Sequence, residues 1–281
     1  MAEKNGNRFT FTQSDHLPGV TALQAVMRDF SYEKHEHEEF AIGVTLSGRQ
    51  IFSCRGSLFT SLPGNVILFH PGLVHDGRPG DASALRYAML YIQPDRLFPL
   101  IQCVSRETAA PSRFRETVIA DARLRDLTLG LAAMVAEARG SGLDQEMQLY
   151  AIAQRLAQRQ GRFQSPGTAA GAAGLKDALY SRVRDYIMDN LDRELSIDEL
   201  SAVVHLSKYH FIRMFRGQFG ITPHRYALNC RINRARTALE QGRPPSETAQ
   251  SFGFADVSHF NRRFKQVYGI TPKQYQSQLL R

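Results

Sequence analysis

The chain contains one supersecondary unit twice. Phe211-Ile-Arg-Met-Phe-Arg-Gly-Gln-Phe-Gly-Ile-Thr-Pro-His-Arg-Tyr226 reads against Phe260-Asn-Arg-Arg-Phe-Lys-Gln-Val-Tyr-Gly-Ile-Thr-Pro-Lys-Gln-Tyr275 at an offset of 49 residues. Phe, Arg, Phe, Gly, Ile, Thr, Pro and Tyr recur in register, and a histidine (His210, His259) precedes each copy. The last hundred or so residues are therefore a duplicated helical module.

Each copy carries its own start and stop signals. Ser196-Ile-Asp-Glu199 has the spacing of a capping box, in which the serine caps the helix and the glutamate reaches back. Leu200, Val203 and Val204 then supply an inward stripe, His205-Leu206 a turn, and Ser207 the N-cap of a second helix from about Lys208 to Gln218. Phe211, Met214 and Phe215 share the inner face of that helix. Tyr209, Ile212, Arg213 and Arg216 share the outer one. Gly220 ends it, Thr222 caps the next helix and Pro223 takes its first position, where a missing N–H costs nothing. In the second copy Ser246 to Phe252 forms the first helix, Gly253-Phe254-Ala255 the turn, and Asp256 the cap of a helix ending near Tyr268. Phe260, Phe264 and Val267 point inward there, and Val257, Ser258, Asn261, Arg262 and Lys265 outward. A helix from Pro223 to about Glu240, ~27 Å long at ~1.5 Å per residue, spans the two copies. It can hold two recognition helices about one DNA turn, ~34 Å, apart.

Charge agrees with this reading. Residues 175–281 hold 17 Lys/Arg against 10 Asp/Glu, while residues 1–174 hold 18 against 17, so the net charge of +8 lies almost wholly in the repeated region. That is the footprint of a polyanion binder. A helical interaction bundle with a solvated basic face is the alternative. It does not account for the matched caps or the outward arginines in both copies.

With Gly253-Phe254, Ser258-His259-Phe260, Phe264-Lys265 and Tyr268-Gly269-Ile270-Thr271-Pro272, the region resembles the AraC/XylS family of transcription regulators. The resemblance implies promoter binding by both recognition helices and an amino-terminal domain that senses a ligand or dimerises. Carried over by position, it makes Tyr209, Ile212 and Arg213 the readers of the first copy and Val257, Ser258, Asn261 and Arg262 those of the second. Lys208, Arg216 and Lys265 are assigned to phosphates, which position without specifying. Pro245 and Thr248 stand where the family carries apolar residues, so the first helix of the second copy is expected to be shorter or less firmly packed.

Ahead of the module, Gln160 to Gly174 is rich in Gly, Ala and Ser without apolar periodicity. It divides the chain into an amino-terminal domain (1–160), a flexible linker (161–174) and the helical domain (175–281). Residues 8 to about 93 hold short β-like runs around Phe40–Leu46, Arg49–Cys54, Asn65–His70 and Leu85–Ile92, with turns at Ser47-Gly48, Pro63-Gly64 and Pro71-Gly72. Leu124, Leu127, Leu131, Met134 and Val135, then Met147, Tyr150, Ala151 and Gln154, mark two amphipathic helices. His35-Glu-His37 and Pro71-Gly-Leu-Val-His75 resemble a cupin barrel of the AraC sensor type. The fold class expected is α+β: a cupin-like β-barrel with following helices, then an all-α double helix-turn-helix domain.

A pocket lined by His35, His37, Phe40, His75, Tyr87 and Tyr91 is the candidate effector site, suited to a small molecule with polar and apolar parts. His35, His37 and His75, on facing strands, form an alternative metal triad, since three imidazoles suit Zn, Fe or Cu. The glutamate that a metal cupin adds four or five residues after the second histidine is replaced by Ala41 or Ile42. Pocket-lining or turn-bonding histidines are therefore preferred, with no cofactor and no catalysis. Three scattered cysteines, no signal-like stretch and no apolar run near ~18 residues lead to an expected cytoplasmic protein without a membrane span. The expected function is a sequence-specific regulator, an activator by family analogy. Its expected partners are double-stranded promoter DNA, an unknown small-molecule effector, RNA polymerase and a second copy of the chain. The competing function is a metal-dependent cupin enzyme with a helical accessory domain.

Overall fold

The computed structural model describes residues 6–105, 114, 116–160 and 172–280, and the chain divides into two compact units at about residue 165. The expected linker 161–174 lies outside the described residues as far as position 171. Its last three residues already belong to a helix beginning at Ala172. Among the described residues no helix is long and apolar enough to cross a membrane.

The first unit opens with nine strands: β1 (Arg8–Gln13), β2 (Val20–Met27), β3 (Tyr32–His35), β4 (Phe40–Ser47), β5 (Gln50–Cys54), β6 (Ser57–Ser61), β7 (Val66–Phe69), β8 (His75–Pro79) and β9 (Leu85–Ile92). Helix α1 (Pro94–Ser105), strand β10 (Val118–Ile119) and helices α2 (Ala122–Ala136) and α3 (Gly142–Gln160) follow. The strands form two antiparallel sheets, ordered β1-β2-β9-β4-β7-β10 and β3-β8-β5-β6. Gly48, Gly64 and Gly72 hold their turns at positive φ, as the expected turn positions require.

Both faces of the larger sheet are covered, which is why its strands read as unbroken apolar runs rather than as alternating ones. Phe40, Ile42 and Val44 of β4, with Val66 and Leu68 of β7 and Leu90 and Ile92 of β9, pack into one core with Leu97, Ile101, Leu124, Leu131, Ile152 and Leu156 of the helices. Ile67, Phe69, Tyr87 and Met89, of the other parity, are buried too. Phe69 meets Phe52 of the smaller sheet edge-on at 5.2 Å.

Helix α2 buries Leu124, Leu127, Leu131 and Val135 as its periodicity predicts. Helix α3 is helical as expected but rotated from the expected phase. Leu149, Ile152, Ala153, Leu156 and Ala157 face inward, while Met147 and Tyr150 are exposed. The longer aliphatic stripe wins because it buries more apolar area.

The second unit comprises α4 (Ala172–Asp189), α5 (Ile197–Val203), α6 (Lys208–Phe219), α7 (Pro223–Glu240), α8 (Pro245–Ser251), α9 (Val257–Tyr268) and α10 (Pro272–Leu279). Every boundary from α5 to α9 falls within a residue or so of its sequence signal. Ser196 and Glu199 form the capping box. Asp256 Oδ1 accepts from His259 N at 2.6 Å, and Gly220 and Gly269 end α6 and α9 in left-handed conformation. The expectation of a shorter or looser α8 is overturned. It is seven residues long, as α5 is, and Thr248 is fully buried, its hydroxyl donating to the Pro244 carbonyl at 2.9 Å. A back-bonded threonine fills an apolar position because its one polar group is satisfied within the helix.

The turn inside each unit distinguishes the copies. In the first, His205 holds φ +54; in the second, Gly253 holds φ +67, and a β-carbon there would lie 2.8 Å from the Asp192 carbonyl oxygen. Gly253→Ala is expected to cost about 1–3 kcal/mol from backbone strain, with the carbonyl clash adding to it. Urea unfolding measures this, and an unchanged midpoint would contradict the close approach.

Candidate functional site

The two recognition helices rest on the same aromatic frame. In the first copy Phe211 meets Phe215 at 5.6 Å, Phe215 meets Phe219 at 4.4 Å, and Tyr226 at the start of α7 lies 5.5 Å from Phe215. In the second, Phe260 meets Phe264 at 5.6 Å, Phe264 meets Tyr268 at 4.6 Å, and Tyr275 of α10 lies 5.5 Å from Phe264. Phe211, Phe215, Phe260 and Phe264 are fully buried. A helix anchored by aromatics at every third or fourth position presents its opposite face to solvent.

That face carries the predicted readers. Tyr209 is 89% exposed, Arg213 and Arg216 are exposed and Ile212 is half-buried. Together these four line a shallow depression on α6. On α9, Val257, Ser258, Arg262 and Lys265 are exposed and Asn261 is half-buried. Lys208 pairs with Asp198 of α5 at 2.6 Å. Both side chains are exposed, so the pair contributes little stability and exchanges readily for a phosphate.

Helix α7 joins the copies through buried polar groups. Tyr268 donates to Asn233 Oδ1 at 3.1 Å and Tyr275 to Glu240 Oε1 at 2.7 Å. The Arg236 guanidinium lies over the Tyr268 ring, 5.9 Å from its centroid, and 3.7 Å from Glu240. Burial holds the Tyr275 phenol well above its ordinary pKa, so it stays a donor.

In the first unit the histidines converge. His35 and His75 are direct cross-strand partners on the neighbouring strands β3 and β8, rather than on facing strands. Their rings are 4.5 Å apart, and the His37 ring is 5.0 Å from that of His75. All three are buried. Desolvation, aided by the other two imidazoles, holds the His75 pKa well below its usual value, so the ring is neutral.

Two family models match this chain. One described as a helix-turn-helix domain covers residues 200–278, and one described as an AraC-like ligand binding domain covers residues 17–156. The chain belongs to the AraC family of transcription regulators.

This AraC-family chain is 27% identical over 237 residues to an uncharacterised HTH-type transcriptional regulator, YbfI, of Bacillus subtilis, covering 84% of this chain and 83% of that protein. It is 26% identical over 244 residues to the arabinose operon regulatory protein of Salmonella typhimurium, covering 85% and 83%. Among solved structures, an apo ToxT variant of Vibrio cholerae has the same fold, with a TM-score of 0.61 at 10% identity over 94% of this chain and 98% of that one.

The residue cluster around these histidines differs in one residue from the sequence expectation and gains others. Tyr91 and Tyr87 do face the interior: Tyr91 lies 5.3 Å from the His37 ring, and the Tyr87 hydroxyl is 2.7 Å from that of Tyr32. Burial raises both the Tyr87 and Tyr32 phenols, so both are neutral. Phe40 is not a chamber residue. It faces the helix layer, edge-on to Phe98 at 4.8 Å and 5.5 Å from His70, because β4 alternates and Phe40 shares the parity of Ile42 and Val44. Phe69, stacked on His75 at 3.7 Å, takes the aromatic place in the chamber. Tyr32 was missed because the register of β3 shifts between Tyr32 and His35, which brings residues of opposite parity to the same interior.

Proposed function

We propose that this regulator reads promoter DNA with the outer faces of α6 and α9, one in each of two successive major-groove segments, under the control of a small molecule bound between its two sheets. The duplicated aromatic frame carries this reading, because it gives both helices the same exposed polar face. Arg213 and Arg262 are the direct readers, with Tyr209, Val257, Ser258 and Asn261 beside them and Ile212 against a thymine methyl. Lys208, Arg216 and Lys265 contact phosphates. Helix α7, ~27 Å long, sets their separation.

The chamber formed by His35, His37, His75, Tyr87, Tyr91, Tyr32 and Phe69 supports a sensor role, with no chemistry performed on the effector. It combines apolar rings with the neutral Tyr32 and Tyr87 hydroxyls and the neutral His75 imidazole, which suits a small molecule with polar and apolar parts. A ToxT structure of this fold is described as bound to an unsaturated fatty acid. Leu143, Met147 and Tyr150, exposed along α3, support pairing with a second copy. Activation through RNA polymerase and a cytoplasmic location complete the proposal.

Affinity capture of sheared genomic DNA from the host tests it. Sharp peaks with paired half-sites about one turn apart support the reading, and diffuse capture at every effector condition overturns it. On a captured promoter, Lys208→Ala is expected to weaken specific and non-specific binding alike and to reduce the salt dependence by about one phosphate contact, ~0.9 in the log–log slope. A salt slope that does not change would remove Lys208 from the phosphate set.

A further inference from the structure

The three chamber histidines share a feature that a mere pocket lining does not need. The Nδ1 atoms of His35 and His75 each lie 2.7 Å from a backbone carbonyl, those of Glu33 and Leu73, and His37 Nδ1 lies 3.0 Å from the Glu39 carbonyl. A carbonyl only accepts, so each Nδ1 carries a proton, and in the neutral ring the lone pair is on Nε2. One ring nitrogen from each of the three lies within 4.8 Å of the others. A backbone carbonyl bound to the far ring nitrogen is the usual outer support of a metal-ligating histidine, where it fixes tautomer and ring orientation. Here it occurs three times at one point. The rings are also held from behind, His75 by stacking on Phe69, His37 edge-on to Tyr91 and His35 against Tyr32.

We propose that His35, His37 and His75 bind a divalent first-row transition-metal ion through their Nε2 atoms. With sides of at most 4.8 Å, an ion at the centre of the triangle lies no more than about 2.8 Å from each corner, against ~2.0–2.1 Å for a Zn–N bond, so small ring movements complete the contact. No carboxylate is among the converging ligand atoms, which excludes hard cations such as Mg²⁺ and Ca²⁺ and selects imidazole-binding metals such as Zn²⁺, Fe²⁺, Co²⁺ or Ni²⁺. Three neutral ligands leave the ion its full positive charge and an open coordination position, suited to water or to an oxygen of an anionic molecule. The site shares its three histidines with the proposed effector chamber, and its metal binding is tested without DNA or an organic effector.

The full-length chain, without a polyhistidine tag and stripped with chelator, is dialysed against Co²⁺ and against Zn²⁺. About one ion per chain is expected, with the visible bands of low-coordinate Co²⁺. His35→Ala, His37→Ala and His75→Ala are each expected to weaken uptake by more than about 100-fold, beyond the ~10–100-fold lost with an outer partner. Replacing the exposed His205, His210 and His224 together by Gln is expected to leave uptake unchanged. Imidazole ¹⁵N NMR of the wild-type chain, which needs no variant to fold, is expected to show three Nε2 resonances moving with Zn²⁺. No stoichiometric uptake, uptake that survives His75→Ala, uptake lost with the three exposed histidines, or unmoved Nε2 resonances would each overturn the proposal.

Discussion

Replacing Arg213 and Arg262 together by alanine is expected to weaken binding to a cognate promoter by about 30-fold to 10⁴-fold while leaving binding to random DNA within a few-fold. An arginine that forks onto a guanine supplies ~1–3 kcal/mol of base discrimination. The two sit on separate helices in separate copies, with no shared partner, so their effects add to ~2–6 kcal/mol. Neither packs into the core: both are exposed, on helices anchored by phenylalanines of the opposite face. The double variant therefore folds as the parent does, and competition gel shifts or fluorescence anisotropy with specific and scrambled duplexes read the effect cleanly. A loss equal on both duplexes would move the arginines to the phosphate set. A loss confined to one single variant would mean that only one copy reads bases.

Phe264→Ala is expected to cost about 3–5 kcal/mol in unfolding free energy, the range for deleting a fully buried aromatic ring. Phe264 is fully buried, with Tyr268 at 4.6 Å, Tyr275 at 5.5 Å and Phe260 at 5.6 Å from its ring. A cavity there removes a wall from three aromatics at once. Against the ~5–15 kcal/mol that holds a typical domain, that is a large share, so DNA binding is lost with folding. Phe264→Leu keeps most of the volume and is expected to cost under ~1.5 kcal/mol. Urea unfolding followed by circular dichroism separates the two variants. Phe215→Ala, at the matching place in the first copy, is expected to fall in the same range as Phe264→Ala, and a much smaller loss there would mean that the first copy relaxes around the gap.

Legibility in the sequence varied with how many independent signals each residue received. The duplicated module was readable to within a residue or so because caps, glycines, a proline and a 3.6-residue stripe all mark the same boundaries. Ser196 with Glu199, Gly220 and Thr222-Pro223 each act locally, within one turn of chain. The chamber depended on pairing between distant strands. His35, His37 and His75 were found as a group because His35-Glu-His37 and Pro71-Gly-Leu-Val-His75 resemble a cupin barrel. Phe40 was assigned to the wrong face because β4 is buried on both sides, which removes the alternation that would have shown its direction. Tyr32 was hidden by the register shift in β3. The α3 stripe was misphased because Met147 and Tyr150 have helical spacing too, and only tertiary burial decides between two apolar stripes on one helix. Thr248 looked like a weak point because a polar residue stands where the family carries an apolar one, when the helix itself supplies its hydroxyl with an acceptor.

Helix α7 starts as a wall of the first copy, through Tyr226, and ends as a wall of the second, through Asn233, Arg236 and Glu240. Neither reader owns its complete core. A lineage carrying this domain is therefore unable to discard one reader and keep the other. Disuse of a copy is confined to its solvent-facing positions, leaving a helix that is fully folded and chemically mute. Ile212, apolar among the polar readers of α6, shows where such silencing would begin: at the one surface where change costs recognition and leaves the architecture intact.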